Sequence, residues 1–241
     1  MKVLAFDIWG DFGHFRKFYT TTSPLTFSFP PPPTIAGILG AIYGAEKGTN
    51  EYLRMFLHDK CKITLKIVTP VKKVRMGVNL INTKGGYWTL YSNKYHEPRT
   101  QIRTEFLKEP YFRIYFAHEN KNIFEKLAGL LKEHKNIYTV SLGLSELLAD
   151  FKYVGEYDSE AKSNNGLVEV QTPITESKLI QNGLEIESGK KYFKEKIPIK
   201  MNQERIVEKY DNVIFEPEGK TIKAKVRSYY RLENGENITF F

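Results

Sequence analysis

The sequence has little of several features that would point to particular classes of protein. Cys61 is the only cysteine among the 241 residues, which excludes an internal disulfide and a cysteine-based zinc knuckle and fits a reducing cytosol. No run approaches the roughly 18 apolar residues of a membrane-spanning helix. The start of the chain meets a charge too early for a signal peptide. We therefore expect a cytoplasmic protein with no membrane partner.

Signatures of catalysis and of cofactor binding are equally scarce. The five histidines show no metal-ligand spacing, and no Gly-Lys-Ser/Thr of a phosphate-binding loop occurs. The stretch Gly10-Asp11-Phe12-Gly13 has the wrong spacing for a dinucleotide fingerprint. We therefore expect no cofactor and no metal.

Positive charge, by contrast, is abundant and concentrated. Lys and Arg outnumber Asp and Glu by 36 to 28. Between Lys60 and Lys108 there are eleven basic residues against two acids, so this segment carries +9 and the remainder is close to neutral. A basic segment on a neutral body is typical of proteins that bind a polyanion, because neutralised phosphates release condensed counterions. A solvated basic surface without a partner is the alternative.

Secondary structure is predicted from hydrophobic patterning. Alternating apolar and polar residues predict strands over residues 2–9, 61–68, 111–118 and 137–140. A helix is expected over 35–46, with Thr34 as its N-cap after four prolines at 30–33 that block a helix up to that point. A second helix follows Asn122, with Glu125 three residues later as a variant capping box.

The order of these elements is strand, helix, strand, long insert, strand, helix, strand. This is the split βαβ pattern of α+β folds of the RRM and ferredoxin-like kind. We predict such a domain at 1–157 and a small, β-rich domain at 167–241. The insert at 71–101 is predicted to be a long hairpin that projects from the body, because it is basic, contains Gly77, and lacks a sustained apolar face.

A run of glycines marks the first predicted helix. Gly37, Gly40 and Gly44 fall on one helix face, and Thr34 begins the helix. Missing side chains let another backbone approach closely, and the free N–H groups at a helix start accept a phosphate. Tight packing inside the protein is the alternative, and both can hold at different ends of the helix.

Two further motifs have features suited to RNA. In the segment 141–146, Ser-Leu-Gly-Leu-Ser-Glu, a glycine between two hydroxyls can wrap a phosphate or ribose with backbone donors, although a plain turn is the commoner meaning. In the insert, aromatic residues including Trp88 are interleaved with cations, which is the single-stranded nucleic-acid pattern of stacking faces and phosphate contacts. Packing of those aromatic residues on a neighbouring segment is the alternative.

Four segments together resemble the fifth CRISPR-associated protein family of type I (Cascade) systems, in the RAMP superfamily, and most resemble types I-A and I-B. They are the opening strand, Pro-Pro-Thr-Ile-Ala-Gly-Ile-Leu-Gly-Ala-Ile-Tyr-Gly at 32–44, Gln-Ile-Arg-Thr-Glu-Phe-Leu at 101–107 before Pro110-Tyr111, and the 141–146 motif. The stretch Ile-Pro-Ile-Lys-Met at 197–201 is similar as well.

The resemblance implies an RRM-like RAMP domain with a β-hairpin thumb and a small β-rich C-terminal domain. It implies a non-catalytic subunit that holds the 5′ handle of the CRISPR RNA in antiviral defence. The implied partners are the CRISPR RNA, the backbone subunit of Cascade and its large subunit, with target DNA engaged indirectly. The motifs and the resemblance together nominate as RNA-binding residues Arg16, Lys17, Tyr19, Thr34, Gly37, Gly40, Lys72, Lys73, Arg75, Lys84, Trp88, Lys94, Arg99, Arg103, Ser141, Gly143 and Ser145.

A metal-independent endoribonuclease that processes CRISPR repeat RNA is the alternative function. The resemblance implies this chemistry for type I-C members, which use Tyr, Lys and His, and such cleavage needs a base and a cation for the developing phosphorane charge. Lys94-Tyr95-His96 and the pair His14 and Lys17 are the candidates in this sequence. The thumb lacks an adjacent Lys-His pair, so we expect no enzymatic activity. A general RNA-binding protein, for which the basic stripe alone would suffice, is a third hypothesis.

Overall fold

The computed structural model describes residues 1–57, 60–82, 97–163 and 166–241. Its helices are α1 (Pro32–Tyr43), α2 (Glu51–Phe56) and α3 (Lys121–Lys132). The strands up to residue 162 are β1 (Lys2–Trp9), β2 (Phe12–Gly13), β3 (Cys61–Ile67), β4 (Lys73–Ile81), β5 (Arg99–Lys108), β6 (Tyr111–His118) and β7 (Asp150–Lys162). Those that follow are β8 (Val168–Val170), β9 (Ile174–Thr175), β10 (Leu179–Leu184), β11 (Phe193–Met201), β12 (Val207–Phe215), β13 (Ile222–Val226), β14 (Tyr229–Leu232) and β15 (Asn237–Ile238).

The central sheet has the order β15-β14-β7-β1-β6-β3. Its four N-terminal strands are antiparallel neighbours, and α1 and α3 follow β1 and β6 in the chain. This is the predicted RRM/ferredoxin-like arrangement, which is therefore confirmed. Phe6 of β1 alternates inward and packs with Leu39 of α1 and Leu127 of α3 in the main core.

The other side of this sheet is also covered. Val3 of β1 and Tyr115 of β6 are fully buried there, beneath Leu232, Ile238 and Phe240 from the C-terminal part of the chain. The sheet therefore has a hydrophobic core on each face.

The outer strands of the central sheet carry additional backbone contacts. The N–H of Phe241 donates to the carbonyl of Ile63 on β3 (3.0 Å), and the N–H of Gln171 donates to the carbonyl of Asn237 on β15 (3.0 Å). Segments of the same chain thus lie along both edges.

The insert forms a long hairpin, as predicted. β4 and β5 pair antiparallel from Lys73 opposite Leu107 to Ile81 opposite Arg99, and β2 joins the outer side of β5. The prediction that the insert lacks an apolar face is wrong, because Val74, Met76, Val78 and Leu80 alternate along one side of β4. The predicted hairpin residues 83–96 lie outside the described part of the chain.

The C-terminal part is β-rich and shares the main core with the N-terminal part. β7 continues through residue 157, where the sequence predicts the end of the first domain, and pairs with β14 up to Lys162. Ile197, Val213 and Phe215 belong to the same hydrophobic cluster as β1 and α1. Contacts between the two parts are therefore extensive.

Three local expectations are wrong. Helix α1 begins at Pro32, and not after Thr34, because prolines at the first helical positions need no N–H partner and already have helical φ. The N-cap of α3 is Asn120, whose side chain accepts from the N–H groups of Asn122 and Ile123. Residues 137–140 form no strand, and the fourth strand of the fold is β7. None of the helices within the described ranges is long and apolar enough to cross a membrane.

Candidate nucleic-acid interface

A cleft of about 550 Å³ lies between the hairpin and α1, and we call it the hairpin cleft. Five segments enclose it, with the β11–β12 turn at one side: the hairpin, α1, α2 through Tyr52, the loop at 139–146 and the loop at 14–24. The residues lining it are His14, Phe15, Arg16, Pro24, Pro33, Thr34, Gly37, Ile38, Ala41, Tyr52, Val78, Leu80, Thr104, Phe106, Thr139, Ser141, Gly143, Leu144, Glu146, Met201 and Arg205.

The hairpin contributes two chemically different faces. Val78, Leu80 and Phe106 are on the face that lines the cleft. The opposite face carries Arg75 and Arg103. The side of the hairpin toward the cleft is therefore apolar, and these two arginines lie on the side away from it.

The glycine run of α1 serves two different purposes. Gly37 lines the cleft, and a Cβ added there would meet only the Tyr52 ring, at 3.7 Å. A Cβ at Gly40 would lie 2.5 Å from the Cβ of Tyr52 on α2, so Gly40 permits the close packing of α1 on α2. Gly44 is the C-cap, with φ of +87°. The interpretation as internal packing thus applies at Gly40, and the approach of a ligand at Gly37 stays a prediction.

The loop at 141–146 is held against the start of the chain. The N–H of His14 donates to the carbonyl of Leu142 (2.9 Å), and an added Cβ at Gly143 would lie 1.9 Å from the carbonyl oxygen of His14. With φ of +103°, Gly143 is required by the backbone at this position. Ser141 lines the cleft beside it, whereas Ser145 is exposed, is not a lining residue, and donates to Glu146, which is one.

Three of the nominated cations are paired with acids, and the side chains of two of them, Lys17 and Lys73, are largely covered. The Nζ of Lys17 lies 3.1 Å from Glu195 Oε1, and that of Lys73 lies 3.7 Å from the same oxygen and 3.8 Å from Glu105 Oε1. Burial alone would lower the pKa of Lys17, but the ion pair with Glu195 at 3.1 Å outweighs the effect of burial, and the pKa is raised. At Lys73 burial prevails and the pKa is lowered. Ser28 donates to Glu195 as well, so this cluster fastens the hairpin base to β11.

The other nominated cations of the hairpin are more accessible. Lys72, Arg99 and Arg103 are exposed, and Arg75 is exposed although its Nε lies 3.4 Å from Glu105. Tyr19 is exposed at the tip of the 14–24 loop. Lys84, Trp88 and Lys94 lie outside the described residues, as do Tyr95 and His96 of one candidate catalytic set.

The second candidate catalytic pair, His14 and Lys17, is buried and engaged. His14 is 3% exposed and its Nδ1 hydrogen-bonds the carbonyl of Glu105 at 2.7 Å. Burial lowers the pKa of His14. In the described ranges no group of three or more His, Cys, Asp or Glu side chains is placed to hold a metal ion.

Several lining residues were missed in the sequence. The apolar alternation of β4 was readable, and it predicts a strand with one side toward a cleft or core. Met201 and Arg205 join the cleft from the C-terminal part, and Glu195 joins the ion cluster from there. Met201 ends the 197–201 stretch that the resemblance includes, but no local pattern marks Arg205 or Glu195, and only the tertiary fold brings the three residues to the site.

The fold and the cleft together define the class of protein by its architecture: an RRM/ferredoxin-like body with a long inserted hairpin over a cleft. Residues 3–163 match the model of the family described as CRISPR-associated protein (Cas_Cas5). The match extends over more than half of the chain, and the protein belongs to this family.

Solved structures are similar over nearly the whole chain. A CRISPR protein from Archaeoglobus fulgidus is 16% identical, with a TM-score of 0.58 over 98% of this chain and 97% of its own. A chain of a CRISPR RNA-guided surveillance complex is 10% identical, with a TM-score of 0.52 over 92% of this chain and 91% of its own. At these identities the likeness concerns the fold. No match was found among curated proteins.

Proposed function

We propose that this protein is a non-catalytic CRISPR RNA-binding subunit of a type I interference complex and that the hairpin cleft holds the 5′ handle of the RNA. The observation that carries the proposal is convergence: Arg16, Thr34, Gly37, Ser141 and Gly143, nominated from separate motifs, line one cleft. Docking to the backbone and large subunits, with target DNA engaged indirectly, belongs to the same proposal. Membership of the CRISPR-associated family supports it.

The chemistry of the cleft suits an unpaired strand. Apolar side chains on the hairpin offer surfaces for bases, and Gly37 leaves room for a ligand to approach α1. Arg16 and Arg205 lie at the lining, where they can neutralise phosphates, whereas Arg75 and Arg103 lie on the face of the hairpin that points away from the cleft.

The usual RNA surface of an RRM is occupied in this protein. RRM domains stack bases on the open face of their sheet. Here that face is buried beneath Leu232, Ile238 and Phe240. This favours the hairpin cleft, on the helix side of the sheet, as the place where RNA binds.

The endoribonuclease alternative receives less support. General base catalysis needs a side chain within reach of the proton that it removes. His14 is only 3% exposed and Lys17 is paired with Glu195, so the pair is not arranged to take the proton of a 2′-hydroxyl and to stabilise the phosphorane. We therefore propose that the protein retains repeat RNA without cleaving it.

The test measures binding of a labelled repeat-derived RNA in EDTA by fluorescence anisotropy, with gel analysis for cleavage. Gly37→Leu should weaken binding at least about tenfold, because the side chain enters the cleft. Gly129→Leu is the matched control: it lies on α3, where an added Cβ meets nothing within 4 Å, and it should bind like the unmodified protein.

Salt dependence provides the second measurement. Each phosphate contact on a single strand contributes a slope of about −0.7 in a log–log titration of affinity against salt. Several contacts should give a steep slope, and Arg205→Gln, which removes a cation from the lining, should make it shallower. A slope near zero, or an affinity that Gly37→Leu leaves unchanged, would refute the cleft as an RNA site. Specific cleavage of the RNA in EDTA would instead establish the endoribonuclease function.

A further inference from the structure

An aromatic cluster lies outside the hairpin cleft. Phe18 and Tyr19 are 53% and 60% exposed, and their rings meet edge to face with centroids 5.1 Å apart. The ring of Tyr210 on β12 supports Phe18 from below at 4.8 Å. We call these three rings the aromatic platform. Large apolar side chains with this much exposure are uncommon without a partner when they occur together.

The loop that carries the platform is held in place by the fold. The N–H of Lys17 donates to the carbonyl of Leu25 (2.8 Å), and the Arg16 guanidinium donates to the carbonyl of Thr20 (3.0 Å). The hydroxyl of Thr20 donates back to the carbonyl of Lys17 (2.9 Å). A ligand that stacks on these rings therefore loses little free energy in ordering the loop.

The platform borders the hairpin cleft. Arg16 and Pro24, from the same loop as Phe18, line the cleft, and so do Met201 and Arg205 from the turn that precedes Tyr210. A strand leaving the cleft past Arg16 would reach the two exposed rings next.

Charge identifies the kind of ligand that fits. The Nζ of Lys196 lies over the Tyr210 ring, 5.4 Å from its centroid, and Arg16 is exposed beside the loop. Exposed rings flanked by cations suit unpaired nucleotides, because every base has a stacking face and every nucleotide carries a phosphate.

We infer that Phe18 and Tyr19 stack unpaired bases of the RNA strand at the exit of the hairpin cleft. The inference rests on the proposed function and extends it to a second contact on the same strand. Stacking of one base on one aromatic ring typically changes affinity by about fivefold to a hundredfold. Phe18→Ala and Tyr19→Ala should each weaken the binding of repeat-derived RNA by at least about fivefold. Tyr19→Phe, which keeps the ring, should bind normally.

Two signatures separate stacking from charge and from misfolding. The salt slope of Phe18→Ala should equal that of the unmodified protein, because no phosphate contact is removed. In a set of RNAs that each lack one base, removal of the base at one or two positions should weaken binding to the unmodified protein. The same removal should not weaken binding to Phe18→Ala, because the stacking contact is already lost. Phe193→Ala is the matched control, since Phe193 is 52% exposed at the far end of β11, and it should bind RNA normally.

The outcomes distinguish the two proposals. If Gly37→Leu loses RNA while both alanine variants bind normally, the platform inference is wrong and the proposed function stands. If the alanine variants keep RNA but lose association with purified Cascade subunits, the platform is a protein contact and the inference is again wrong. If the unmodified protein binds no repeat RNA, both proposals fail. Thermal melting shows whether each variant is folded. If Phe18→Ala is unfolded, the comparison of RNA affinity between Tyr19→Ala and Tyr19→Phe tests the inference.

Discussion

The two glycines of α1 give stability changes of opposite sign. In Gly37→Ala the new Cβ meets the Tyr52 ring at 3.7 Å, an ordinary van der Waals contact. The helix then gains the alanine propensity, about 0.8–1.0 kcal/mol. In Gly40→Ala the new Cβ would lie 2.5 Å from the Cβ of Tyr52, so α2 has to move. Overpacking of this kind costs about 1–3 kcal/mol, which exceeds the propensity gain.

Thermal unfolding measures both variants in one experiment. One kcal/mol corresponds to about 2–4 °C in Tm for a protein of this size. Gly37→Ala should therefore raise Tm by about 2–4 °C, and Gly40→Ala should lower it. In the Gly40→Ala protein, a second substitution Tyr52→Ala should restore less of the lost Tm than Tyr52→Gly, because the clash is with the Cβ of Tyr52, which alanine keeps. Shifts of the same sign for the two glycine variants would contradict this account of α1.

Two further predictions concern the anchored hairpin base and pH. Glu195→Gln removes the acid between Lys17 and Lys73. In denaturant titrations the free energy of unfolding should fall by about 1–3 kcal/mol. An unchanged unfolding midpoint would show that the ion cluster adds nothing to stability. Burial lowers the folded-state pKa of His14, so the unfolded chain takes up its proton first as pH falls through about 6.5. Stability should fall there by up to about 1.4 kcal/mol per pH unit for this proton, and His14→Gln should flatten the profile relative to the unmodified protein; identical profiles would disprove the assignment.

The elements with regular alternation could be predicted from the sequence, and β7 could not. In β1, β3 and β6 every second residue faces the main core, which gives the period of two. In β7 the register shifts between the pairs Ala5–Gly155 and Phe6–Tyr153. Such an irregularity breaks the alternation, so this strand has no clean period in the sequence.

The site could be predicted only in part, for a related reason. The glycine run and the 141–146 motif located Gly37 and Ser141, because each belongs to a recognisable local pattern. The partner of Lys17 is Glu195, 178 residues further along the chain, and no local pattern connects them. Charge counting therefore treats Lys17 as available, whereas the fold has already given it an acid.

The covered edges of the central sheet determine how this protein can join a larger particle. Proteins often recruit one another by adding a strand to an open sheet edge. An incoming strand would meet Phe241 alongside β3 and Gln171 alongside β15. In the hairpin sheet, however, β4 is the outermost strand. A neighbour that paired with β4 would contact the element that also walls the cleft, so a strand added there and a ligand in the cleft would share the same hairpin.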